Sequence, residues 1–123
     1  MNVKNIQLKI QDRKAALVEF ATALGSARKG IIEKKEQLSF PTIDAFRKLI
    51  TEKRLELLHV IKLKHPQSVY ELAKVVDRDL KSVATDIDIL QELGLVSLER
   101  LSDERNRVKP YVVYDKINVE IAI

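Results

Sequence analysis

The stretch from Pro66 to Val113 changes its hydrophobic period once, from helical to strand-like, and that change limits the available folds more than any other feature. Before the change, Ser68 and Glu71 stand in the S-x-x-E spacing of a capping box, where hydroxyl and carboxylate each accept from a backbone N–H at a helix start. Val69, Leu72, Ala73 and Val76 follow at helical intervals. Asp77-Arg78-Asp79 interrupts the pattern. Asp79 is placed to cap a second helix, predicted over Leu80–Leu93, whose inward face is Leu80, Val83, Ile87 and Leu90. Gly94 follows as the expected left-handed terminator.

After Gly94 the pattern predicts a strand over Leu95–Glu99 and another over Val108–Tyr114. Between them lies the polar turn SDERNR. Two short helices joined by a tight turn, after a longer helix, outline a helix-turn-helix, and the strand-turn-strand that follows supplies a wing. The expected fold class is therefore α+β, a winged helix-turn-helix with an N-terminal helical extension.

In such an arrangement the first helix braces the second, leaving the second helix's polar side and first turn for a DNA major groove. The predicted outward set is Lys81, Ser82, Thr85, Asp86 and Asp88. Lys81, Ser82 and Thr85 lie near the N-terminus, where the helix dipole favours phosphate and these side chains suit phosphates or base edges. Arg78 in the turn, with Arg105, Arg107 and Lys109 in the wing, completes the candidate DNA-binding set. Taken singly, each cation is equally well explained as solvated surface charge. The argument rests on the set. Asp86 and Asp88 suit a polyanion badly and are expected on the flank, pairing with basic residues elsewhere; two residues apart on a helix, they make a poor acid–base pair.

Upstream, a strand is predicted over Gln7–Gln11, then a helix capped by Asp12 and running to Ala23. Its apolar positions Leu17, Phe20, Ala21 and Leu24 form a candidate dimerisation stripe, with Ile117–Ile121 as a second contributor. The charge-rich run 28–37 reads as an exposed connector, dividing an extension at 1–37 from a DNA-binding domain at 38–123. Thr42 is the expected cap of a helix with Ile43, Phe46, Leu49 and Ile50 on one face. Thr51 begins a further helix, with Leu55, Leu58, Ile61 and Val60 as its buried stripe and His65-Pro66 as its end.

Composition excludes several function classes. The chain has no Cys, so disulfides, thiolate metal sites and Cys nucleophiles are out. No apolar run reaches the ~18–20 residues of a membrane span, and the N-terminus lacks a secretory apolar region, so the default expectation is a cytoplasmic protein. The net charge of +4 is compatible with a polyanionic partner without demanding one. His59 and His65 have no second ligand at metal spacing, and neither a Gly-rich phosphate loop nor a nucleophile with a partnered base is found. An enzyme is not expected, and no cofactor is.

The run SVYELAKVVDRDLKSVATDIDILQELGLVSLE, followed by KPYVVYDKINVEI, resembles small prokaryotic winged-helix regulators related to the MarR group. Together with FPTIDAFRKLITEKRLELLHVI, it is similar to an antitoxin-like (TumA-like) subfamily over roughly Phe40 to Ile121. The resemblance implies sequence-specific binding of double-stranded DNA, a homodimer, and autorepression with a cognate toxin as partner. Two features depart from it: the turn SDERNR is longer and more charged than a minimal wing, and Ala84-Thr85 gives a smaller recognition surface. A rival expectation is a winged helix that neutralises or scaffolds a protein partner without reading DNA.

Overall fold

A computed structural model describes residues 3–10, 32–34, 36–102 and 107–123. The fold is α+β and divides into two compact units, one of residues 1–49 with 114–123, the other of residues 50–113. The expected boundary at 37/38 therefore moves to 49/50, and the C-terminal strand leaves the predicted DNA-binding domain. Its reason is backbone pairing: the last strand finds its partner in the first.

In the first unit, strands β1 (Asn5–Ile10), β2 (Ile32–Lys34), β3 (Gln37–Phe40) and β6 (Lys116–Ile121) form one sheet in the order β2-β3-β1-β6. β1 runs parallel to both β3 and β6, with Leu8 opposite Leu38 and Val119. Alternation explains the burial of β1: Ile6, Leu8 and Ile10 turn inward while Asn5 and Gln7 stay exposed. Part of the run read as an exposed connector is in fact the antiparallel hairpin β2–β3. Its short turn places Glu36 at φ 61, and the Glu36 carbonyl accepts from the Gln7 N–H at 3.0 Å. Helix α1 (Ile43–Leu49) starts as expected, the Ala45 N–H donating to the Thr42 hydroxyl. Phe46 of α1 stacks edge-on against Phe40, whereas Ile43 stays exposed.

Helices α2 (Glu52–Lys64), α3 (Val69–Val75) and α4 (Leu80–Glu92) build the second unit, followed by the antiparallel hairpin β4 (Ser97–Arg100) and β5 (Val108–Tyr111). The core is Leu57, Leu58, Ile61, Leu72, Ala73, Val83, Ile87 and Leu90, closed by Leu93, Leu95 and Val96. Each large residue there contributes about 1.5–3 kcal/mol through burial. The stripe of α2 differs from the expected one. Leu55 is exposed, and the inward positions are 54, 57, 58 and 61, with Arg54 occupying a place that hydrophobicity alone passes over.

The caps follow local chemistry closely. Thr51, Ser68 and Asp79 each accept from the N–H three residues on. At Ser68 the box is only half reciprocal, because Glu71 reaches back to the N–H of Gln67, not to that of Ser68. α3 ends in a Schellman turn: Asp77 takes φ 55, its N–H donates to the Lys74 carbonyl, and the Arg78 N–H donates to Ala73. α4 ends the same way at Gly94, φ 78, with the Leu95 N–H donating to Leu90. Both observed hairpin strands are shorter than predicted; β4 starts late because Leu95 and Val96 are spent on sealing the core, and β5 ends at Tyr111.

Candidate nucleic-acid interface

One left-handed residue sets the entry to α4. Asp77 lets the chain reverse after α3 within the three residues Asp77-Arg78-Asp79, and Asp79 then caps α4. Two hydrogen bonds from Ser82 to its carboxylate, the backbone N–H first and the hydroxyl second, hold Asp79 below its ordinary pKa. With Val83, Ile87 and Leu90 sealed inward, α4 presents Lys81, Thr85, Asp88 and Glu92 as one exposed stripe. Its basic end is the N-terminal end, the one that a groove-reading helix uses.

The expected contact residues divide. Lys81 is exposed on the first turn of α4. Ser82 is half-buried and engaged with Asp79. The Thr85 hydroxyl donates to the Lys81 carbonyl at 2.9 Å, which leaves its lone pairs outward. Arg107 precedes β5, where its carbonyl accepts from Leu101, and Lys109 lies within β5 opposite Glu99. Arg105 and the stripe Leu17, Phe20, Ala21 and Leu24 lie outside the described residues, as does the helix capped by Asp12.

Arg78 departs from its expected role. Its guanidinium turns inward and meets Asp86 at 2.8 Å, and Arg54 of α2 meets the other oxygen of the same carboxylate at 3.0 Å. All three side chains are less than one-fifth exposed, so the triad ties α2, the turn and α4 together. Asp86 therefore leaves the outward set in which it was expected, while the expected pairing with basic residues is present: the acid faces two cations and not a polyanion. Asp88 remains exposed.

Leu80 also departs, being 46% exposed where an inward position was expected. On the first turn of α4 it lines a groove of about 580 Å³ together with Val69, Tyr70, Lys74, Arg107 and Val108 among others. Sequence reasoning missed Tyr70 and Lys74. They lie four residues apart on α3, with the Lys74 ammonium 4.7 Å from the Tyr70 ring centre, and that spacing was the one available signal. The groove therefore brings two basic residues, Lys74 and Arg107, together with an exposed aromatic, Tyr70.

No curated protein and no solved structure matches the chain. The HVO_A0114 family matches residues 49–119, a span that takes in the whole helical unit, the hairpin and most of β6. More than half of the chain is covered, and the protein belongs to the HVO_A0114 family.

Proposed function

We propose that the protein is a sequence-specific regulator of transcription that binds double-stranded DNA through a winged helix-turn-helix. α3, the Asp77 turn and α4 form the helix-turn-helix, and β4–β5 form the wing. The observation that carries this reading is the polarity of α4. Its Val83, Ile87 and Leu90 stripe is sealed, while Lys81 and Thr85 stand exposed at its N-terminal end. Lys81 serves a phosphate or a guanine edge, Thr85 a base edge, and Arg107 and Lys109 the phosphates beside the groove. Lys74 and Tyr70 extend the contact from α3. A homodimer reading a two-fold site, autorepression and a toxin partner follow from the antitoxin-like resemblance.

The test is a gel shift on the DNA upstream of the protein's own gene. Lys81→Glu combined with Arg107→Glu weakens binding at least tenfold and flattens the dependence of log affinity on log salt, by roughly 0.9 for each phosphate no longer neutralised. Equal affinity in the variant and the parent overturns the reading. Indifference of the parent to any DNA would leave the protein-interaction winged helix in its place.

A further inference from the structure

β6 ends the sheet of the first unit. β1 pairs along one side of it, and among the described residues no strand pairs along the other. Residues in register share a sheet face, so Ile117, Val119 and Ile121 lie on the face of their partners Ile6, Leu8 and Ile10. The β1 residues are buried, yet Val119 is 47% and Ile121 54% exposed. A six-residue edge strand with a half-covered apolar row is a template for another strand, and proteins normally blunt such edges.

The opposite row, Lys116, Asn118 and Glu120, selects the partner. When a strand pairs antiparallel with its own copy about Asn118, Lys116 faces Glu120 of the copy, and by symmetry this happens twice. On the other face Ile117 meets Val119 twice, and Asn118 meets itself. Centring on Val119 sets Lys116 against Ala122 and Asn118 against Glu120, so neither charge pair forms. Centring on Ile117 sets Val119 against Asp115. Glu120 lies 4.0 Å from Lys9 and is still 63% exposed, so it has room for a second cation. Cross-strand opposite charges and apolar pairs are what stabilise an antiparallel register.

We propose that a second copy of the chain docks on β6, antiparallel and centred on Asn118, joining two four-stranded sheets into one of eight strands. The contact is isologous and closes on itself, which removes the edge. It rests on the dimeric reading above and names the surface that the dimer uses.

Because the chain has no Cys, Asn118→Cys puts a single thiol in each protomer, at the two-fold axis. Directly opposed residues have Cα atoms ~4.5–5.5 Å apart, within the ~4.4–6.8 Å that a disulfide spans. In the full chain under mild oxidation, Asn118→Cys gives a covalent dimer that persists on dilution, while the control Asp88→Cys does not. By sedimentation, Lys116→Glu weakens the dimer at least fivefold, and Lys116→Glu with Glu120→Lys restores it. Val119→Lys gives monomers with an unchanged circular dichroism spectrum. A dimer that fails to crosslink at 118 overturns this surface and leaves the dimeric reading standing. Crosslinking without rescue by the charge swap overturns the register, and a monomer at every concentration overturns both. DNA binding by the monomer would leave the nucleic-acid reading intact.

Discussion

Arg78, in the turn between α3 and α4, and Asp86, two turns into α4, lie 2.8 Å apart, and the other oxygen of that carboxylate is taken by Arg54 at 3.0 Å. One acid therefore answers two cations that burial would otherwise leave costly. Even so, Nη1 of Arg78 is buried without a hydrogen-bond partner among the described residues, so the triad holds a donor in reserve. Asp86→Asn keeps the shape and removes the charge. It is expected to destabilise the protein by about 3 kcal/mol, the low end for breaking a buried pair. Urea unfolding measures this, and a loss below about 0.5 kcal/mol would show that the triad is decorative.

The two Schellman turns predict substitutions of opposite sign. Gly94 sits at φ 78, where a Cβ meets the following carbonyl, so Gly94→Ala is expected to cost about 1 kcal/mol. Asp77 holds φ 55 with a side chain present, and Asp77→Gly is expected to gain a few tenths of a kcal/mol, since Asp tolerates that region better than most. Thermal unfolding midpoints of the two variants should move apart. Movement in the same direction would mean that the turns are not held as described.

Asp79 ties stability to pH. Its folded pKa lies below the ordinary carboxylate value, because Ser82 donates its N–H and hydroxyl to the charged form. The cap's contribution is thus fully present above about pH 4 and is lost as pH falls through the lowered value. Asp79→Asn keeps an acceptor without the charge. Its urea midpoint should fall less than the parent's between pH 7 and pH 3; parallel curves for the two proteins would exclude Asp79 as a contributor.

What could be read in the residues alone was whatever chemistry acts over three or four positions. The caps at Ser68 and Asp79, the terminator Gly94 and the inward trio Val83, Ile87 and Leu90 are all of that kind. Arg54 escaped because its charge hides an inward position, and its partner Asp86 is 32 residues away. The sheet of the first unit escaped for the same reason: β6 pairs in parallel with β1 from the far end of the chain, and no turn signal marks such a pairing. Leu80 follows the inward period of α4 and is nevertheless 46% exposed, because it lines an open groove with Val69 and Tyr70 of α3, a feature that helical period does not encode.

The exposed stripe of α4 carries its own opposing charge. Lys81 opens it, and Asp88 and Glu92 follow on the same side. If the N-terminal end enters a major groove, Asp88 stands about two turns back, near enough to the phosphates to repel them through water. At such a separation the repulsion is about 0.5 kcal/mol at low salt and fades as screening grows. Asp88→Asn is therefore expected to tighten DNA binding about twofold at low salt, with the gain vanishing at high salt. Glu92→Gln, one turn farther from the groove, should gain less. Fluorescence anisotropy on a labelled duplex resolves differences of this size. Weaker binding by Asp88→Asn, confined to particular sequences, would mean that the carboxylate accepts from a cytosine amino group, and the repulsion argument would fail.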